Sequence, residues 1–168
     1  MAKEIERKFA VTDLSILAGR LGATIRQGYI ANEPMTVRVR TIEAEAFMTL
    51  KSKTATIERD EYEFPIPMHQ ARELLERHCG QRIIEKTRYR IPHAGHTIEV
   101  DVFGGRLAGL VIAEIELDAL GQAVELPDWL GMELTYDGRF SNSALSLVDQ
   151  APKLPGSVTP RELECVVC

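Results

Sequence analysis

The sequence predicts a mainly β fold with a small helical part, and three observations carry that expectation. Eight or nine segments within the first 135 residues alternate apolar and polar side chains and are rich in β-branched residues. Only two or three stretches have helical spacing instead. The chain has 168 residues, the length of one domain. A sheet of eight strands can close into a barrel, which removes its edges and encloses an interior.

Taken in order, strands are expected over about 3–11, 25–31, 35–43, 46–53, 57–66, 82–91, 96–103 and 110–118, with a short one near 132–135. A short helix around 13–19 would start at Asp13, whose carboxylate suits an N-cap. Between 66 and 82 the strand pattern gives way to helical spacing. Ala71, Leu74, Leu75 and His78 fall on one face of a helix over Met68–His78, ended by Gly80. Phe140, Ala144, Leu145 and Val148 share one side of a second helix at about 139–149. Gly104-Gly105 reads as a hairpin connection, since no phosphate-loop pattern follows it. Residues 1–150 form the domain, and 151–168, with Pro152, Pro155, Gly156 and Pro160, read as a loosely ordered tail.

Composition removes several classes. Hydrophobic residues at 45% and charged residues at 27% are those of an ordinary globular protein, neither disordered nor collagenous. The longest apolar run, Leu107 to Ala113, is far short of the ~20 residues that a membrane helix needs. Charged residues crowd the first eight positions and leave no hydrophobic segment for a secretion signal, so a cytoplasmic setting is expected. Three cysteines, Cys79, Cys165 and Cys168, make no disulfide framework, and the terminal Cys-x-x-Cys lacks the second pair a structural zinc site wants. Net charge is −5, which argues against nucleic-acid binding by bulk positive charge. The average hides a division: residues 1–90 carry a net +3 and residues 91–168 a net −8.

The informative pattern lies within the strands. Side chains two apart share a face, and on those faces the charges are sorted by sign. Glu4 and Glu6 precede Lys8; Arg38 accompanies Arg40; Lys51 accompanies Lys53. Glu61 pairs with Glu63, Lys86 with Arg88 and Arg90, Glu99 with Asp101, and Glu114 with Glu116. A solvated sheet face accounts for alternation but not for like charges placed side by side, which repel. Clustered Arg and Lys match phosphoryl oxygens, and paired carboxylates match hard divalent cations such as Mg²⁺ or Mn²⁺. Together they describe a metal–polyphosphate site inside a polar interior. The histidines fit it poorly: His69 and His78 fall on a helix, and His93 and His96 flank a turn.

Glu4-Ile-Glu6-Arg-Lys8 resembles the Glu-x-Glu-x-Lys signature that opens the CYTH domain of the triphosphate tunnel metalloenzymes. The resemblance continues through the six pairs above and ends near Arg139-Phe-Ser141-Asn142. It implies an eight-stranded antiparallel β-barrel tunnel with a charged interior, flanked by two or three helices, that hydrolyses a linear triphosphate with Mg²⁺ or Mn²⁺. Lys8, Arg38, Arg40, Lys51, Lys53, Lys86 and Arg88 would cradle the triphosphate. Glu4, Glu6, Glu114 and Glu116 would serve the metals, with Glu4 and Glu6 also serving catalysis. Glu61, Glu63, Glu99 and Asp101 would bind metal, activate water or hold the basic side chains in place. Arg59 and Arg90 read as structural.

The resemblance also implies the reaction, attack of water in line on a terminal phosphorus. Lys86 could protonate the leaving pyrophosphate if its surroundings lower its pKa. Inorganic tripolyphosphate is the expected substrate. The alternatives are a class IV adenylate cyclase, a thiamine or nucleoside triphosphatase, and a non-catalytic polyphosphate-binding module. The expected partner is a small-molecule triphosphate, with neither nucleic acid nor membrane, and uncovered apolar strand faces could be buried in a homodimer.

Overall fold

The computed structural model of the chain describes residues 2–54 and 57–154. Nine strands are present: β1 (Ala2–Val11), β2 (Ala23–Ala31), β3 (Thr36–Ile42), β4 (Glu45–Lys51), β5 (Glu58–Pro65), β6 (Ile83–His93), β7 (His96–Phe103), β8 (Val111–Glu116) and β9 (Leu130–Glu133). Two helices join them, α1 (Met68–His78) and α2 (Asn142–Leu145), with 3₁₀ turns at Ser15–Leu17, Gly105–Leu107 and Gly138–Phe140. Among the described residues no helix is long and apolar enough to cross a membrane.

The strands run β5-β4-β3-β2-β6-β7-β8-β1-β9, and β1 also pairs with β5. That last pairing closes eight antiparallel strands into a barrel. The length of β1 makes closure feasible. One edge pairs through Glu6–Ala10 with β8, while the other serves β5 through positions 2–5 and β9 near its C-terminal end.

Register then decides what faces inward, because paired residues share a face. Glu6 lies opposite Glu116 and Lys8 opposite Glu114; Glu114 opposes Glu99; Asp101 opposes Arg88. On the far side, Gln27 opposes Arg40, Arg38 opposes Thr49 and Thr49 opposes Glu63. Followed round the barrel, one face carries the sorted charges from strand to strand.

The opposite face is apolar and covered. Ile5, Phe9, Tyr89, Ile98, Val100, Ala113 and Ile115 pack with Leu14 and Leu17, and Trp129 leans on the same cluster. On the β3–β4 side, α1 lays Ala71 and Leu75 over Val39 and Ala46. It approaches closely because β2 carries Gly28, where a Cβ would stand 2.6 Å from the Cys79 Sγ. At one end the interior is filled by Ala10, Tyr29, Ile84, Phe103 and Ile112 packed against Leu134, Phe140, Leu145 and Leu154. The chain after β9 therefore stoppers that end of the barrel.

Several elements differ from the sequence expectation. The helix over about 139–149 is a 3₁₀ turn followed by the single turn of α2. Ser141 divides them: its backbone is extended and its side chain accepts from the Ala144 N–H, so a helix restarts there. The short helix near 13–19 is one 3₁₀ turn, with Asp13 Oδ1 accepting from the Ser15 N–H at 2.8 Å. β4 stops at Lys51, with Ser52 still bonded to Asp60 one step past the last register pair. Past Gln150 the chain remains attached through buried Leu154. Cys165 and Cys168 lie outside the described residues, and Cys79 is a buried free thiol.

Candidate active site

The barrel encloses a cavity of about 600 Å³ that opens between Glu63 and Phe64 of β5 and Thr97 of β7 and reaches down to Asn142. Its walls differ in sign. Glu99, Glu114, Glu116, Glu4 and Glu6 line the β7–β8–β1 side, and Arg38, Arg40 and Lys51 line the β3–β4 side, with Arg88 of β6 between them. The sign-sorting of the sequence is thus a sorting of walls.

Most of these charges neutralise one another. Lys51 Nζ lies 2.6 Å from Glu4 and 3.0 Å from Glu61. Lys8 pairs with Glu114 and, at 2.8 Å, with Glu6. Arg88 takes Asp101 with two nitrogens, both at 2.7 Å, Glu114 at 2.8 Å, and Glu99. Lys86 Nζ donates to Asp101 at 2.5 Å and to Asn142 Oδ1 at 3.2 Å. Burial works against the Lys8 ammonium, but Glu114 and Glu6 outweigh it and raise its pKa. Burial likewise disfavours the Glu114 and Asp101 carboxylates; Lys8, Arg88 and Lys86 reverse this for Glu114, and Lys86 and Arg88 for Asp101, so both stay ionised below the usual range. Lys86 goes the other way. Burial and neighbouring Arg88 prevail over Asp101 and pull its pKa down to about 8.

Two groups of charges are left undercompensated. Arg38 donates to Thr49 at 3.2 Å and Arg40 to Glu63 at 3.0 Å, yet the Nε of each is buried without a partner. Burial and adjacent Arg38 lower the pKa of Arg40, against the pull of Glu63. Facing them, Glu116 makes no ion pair among the described residues. Partial burial and the charges of Glu4, Glu99, Glu61 and Glu6 push its pKa up. Such a cavity has unmet demand for anionic oxygen at one wall and for a cation at the other.

The acidic wall offers only carboxylate oxygens, the donor set that hard divalent cations take. Among the described residues no three His, Cys, Asp or Glu side chains are already gathered closely enough to hold an ion. The mutual repulsion that raises the Glu116 pKa is nonetheless the electrostatics a cation relieves, so the residues fit such a group by chemistry.

Of the residues singled out in the sequence, Glu4, Glu6, Arg38, Arg40, Lys51, Glu61, Glu63, Arg88, Glu99, Glu114 and Glu116 line this cavity. Lys8 lines a smaller annex beyond it. Lys86 and Asp101 sit on the inner face below the cavity, toward the stopper residue Phe103, with side chains 2% and 1% exposed. Lys53 lies past the end of β4, half exposed and paired with Glu33, and does not line the cavity. Neither do the four histidines. Gln27 and Thr49 also face the interior, and uncharged side chains gave no sign-sorting signal there. Asn142, at the end of the CYTH resemblance, touches both Lys86 and Glu114, the latter at 3.5 Å.

Comparison with known proteins agrees with this geometry. The family model described as the CYTH domain matches residues 2–150. An inorganic triphosphatase of Acetivibrio thermocellus is 44% identical over 146 residues, 86% of this chain and 94% of that protein. One of Nitrosomonas europaea is 40% identical over 151 residues, 86% of this chain and 97% of that protein. The crystal structure of the inorganic triphosphatase NE1496 superposes with a TM-score of 0.67 at 36% identity, covering 90% of this chain and 99% of that one.

Proposed function

Because the chain belongs to the CYTH domain family, we propose that it is an inorganic triphosphatase, hydrolysing linear tripolyphosphate to pyrophosphate and orthophosphate with a divalent cation. The observation that carries this is the two-walled interior, in which partnerless Nε donors of Arg38 and Arg40 face the uncompensated carboxylate of Glu116. Substantial identity to two inorganic triphosphatases supports the same substrate here. Most residues lining the cavity are charged, and the reading needs no organic group.

The free protein holds its interior nearly neutral by pairing its own acids with its own bases. Binding exchanges those partners. Arg38, Arg40, Lys51 and Arg88 turn to phosphoryl oxygens, the Arg guanidinium through its planar fork and Lys as a point charge. Glu4, Glu6, Glu114 and Glu116 would hold the cation, of the Mg²⁺ or Mn²⁺ type. When bound, that ion neutralises phosphate charge and makes water easier to deprotonate. Glu4 and Glu6 would accept the proton of the attacking water, and the bases would restrain the chain for attack in line. Lys86, Asp101 and Asn142 act as positioning residues of the free protein, where Asp101 holds Arg88 through both its oxygens until phosphoryl oxygens take its place. Glu99 and Glu63 do the same for Arg88 and Arg40.

The test is orthophosphate release from tripolyphosphate, ATP and thiamine triphosphate in Mg²⁺, in Mn²⁺ and with a chelator. Chelator-sensitive release, fastest from tripolyphosphate, is expected. Absence of release from tripolyphosphate in either metal overturns the reading, and cyclic AMP formed from ATP would replace it with a cyclase.

A further inference from the structure

The basic wall carries one side chain that charge pairing leaves unexplained. Gln27 of β2 lies on the inner face opposite Arg40 and borders the cavity, yet it is fully buried in the free protein. Its Nε2 donates to the Tyr29 hydroxyl oxygen at 3.0 Å, while its Oε1 is buried with no hydrogen-bond partner among the described residues. A buried amide oxygen without a partner costs free energy. Here it stands level with Arg40, whose Nε is unpartnered too.

Tyr29 shows what the amide is held for. Two donors reach its oxygen, Gln27 and its own register partner Arg38. Burial keeps the phenol protonated, its pKa pushed up to about 12, and its hydrogen has no acceptor among the described residues. The two ends of a carboxamide have the same shape, so a half-turn about its last bond exchanges them without displacing a neighbour. After that turn Oε1 accepts the Tyr29 hydrogen, and the NH₂ group takes the former place of the oxygen beside Arg40. Among bases alone the oxygen is the better end to present there, since an N–H would face other donors. Once a phosphoryl oxygen draws Arg40 away from Glu63 the preference reverses, because a lone pair would then face an anion. Packing does not explain the amide: an apolar side chain would fill the same place without an orphaned oxygen.

We propose that Gln27 is a further substrate-binding residue: its amide turns over when the triphosphate binds, Oε1 takes the hydrogen of Tyr29, and an Nε2–H donates to a non-bridging phosphoryl oxygen beside Arg40. The inference rests on the triphosphatase reading for the ligand, and on the Gln27–Tyr29 pair for the turn. Gln27 thereby adds a neutral donor to a wall of cations, and it does so without adding charge to an interior that the free protein holds nearly neutral.

The experiment has two arms, both with tripolyphosphate as the probe. The first compares the wild type with Gln27→Met, which keeps the length of the side chain without the amide, and with Gln27→Glu, which keeps acceptors without the donor. Loss of one hydrogen bond to a charged group corresponds to about tenfold. Both variants are expected to raise KM, and the Kd measured calorimetrically with a chelator present, by about tenfold, with kcat changed much less. An unchanged Kd in Gln27→Met refutes the contact, and an unchanged Kd in Gln27→Glu refutes the donor. The second arm follows the Gln27 side-chain amide of the wild type by NMR, assigned through its own carbon chain and with a chelator present so that the ligand is not consumed. Its protons should show nuclear Overhauser contacts with the Tyr29 ring in the free protein, then lose them as one proton moves downfield on addition of tripolyphosphate. Contacts that persist at saturation refute the turn, and this arm decides alone if either variant fails to fold. A wild type that binds tripolyphosphate without hydrolysing it overturns the triphosphatase reading and leaves the Kd and the amide signals to decide on Gln27; one that does not bind it overturns both.

Discussion

Asp101→Asn tests whether the interior is a set of exchangeable charge pairs. Asp101 is 1% exposed and receives three hydrogen bonds from cations, one from Lys86 at 2.5 Å and two from Arg88 at 2.7 Å. Asparagine keeps the shape and removes the charge, leaving two buried cations undercompensated. Breaking a buried ion pair from one side costs about 3–5 kcal/mol. For a chain of this length each kcal/mol lowers Tm by about 2–4 °C, so the ligand-free variant should melt about 6–20 °C below the wild type. Tripolyphosphate supplies negative charge to Arg88, which lines the cavity. In the wild type it must compete with Asp101 for that side chain; in the variant it does not. The ligand-induced rise in Tm should therefore be larger in the variant, narrowing the gap. Differential scanning calorimetry with and without tripolyphosphate measures both quantities. A ligand shift no larger in the variant than in the wild type would refute the partner-exchange argument, even if the destabilisation were found.

Glu116→Gln should abolish metal-dependent turnover while retaining triphosphate affinity, measured by phosphate release and by calorimetric titration. Because the folded-state pKa of Glu116 is raised, the folded protein binds more protons than the unfolded chain from its ordinary 4.5 up to the raised value, and stability falls as pH rises through that window. The metal-free glutamine variant should accordingly be more stable than the wild type at pH 7 and lose that advantage below about pH 4.5, as thermal melts across pH would record. Arg40→Ala removes a guanidinium from the basic wall and should raise KM for tripolyphosphate about 10- to 100-fold, with kcat read separately. Titration calorimetry should find Mg²⁺ alone and tripolyphosphate alone binding weakly, and each strengthening the other by the same factor, as linkage requires; independent binding would count against two walls of opposite sign. Gly28→Ala forces a methyl against Cys79 and Leu75 of the α1 contact and should cost about 1–3 kcal/mol in urea unfolding, with KM for tripolyphosphate little changed.

The inner face of this barrel was legible because it violates what an ordinary surface does. Solvated strands mix signs, and here Glu114 and Glu116, or Arg38 and Arg40, repeat a sign at period two, which no solvation argument requires. The same logic read α1 from Met68 to His78, since Ala71 and Leu75 must meet Val39 and Ala46. Legibility ended where tertiary contacts override local pattern. Lys53 continues the alternation of Lys51, but β4 ends at Lys51, and Lys53 lies beyond it, half exposed and paired with Glu33. The helical spacing of Phe140, Ala144 and Leu145 is present, yet the extended, capping Ser141 splits it, with Phe140 and Leu145 both still buried in the stopper.

Arg59 was hidden for a more instructive reason. It stands two before Glu61, a base on the same strand face as the sorted Glu61 and Glu63, and so reads as structural. Register adds that Glu4 of β1 lies opposite it. Sorting by sign therefore finds the walls that neutralise each other in the free protein, and it is blind to a cation whose partner is not part of the chain. That blindness is itself diagnostic. Where closure of the barrel carries a base inward beside a carboxylate already satisfied by another base, as Lys51 satisfies Glu4, that base is left without an acid of its own. Burial makes an uncompensated charge costly, so such a base is tolerable only where water or an anion reaches it. The annex around Arg59 provides that access.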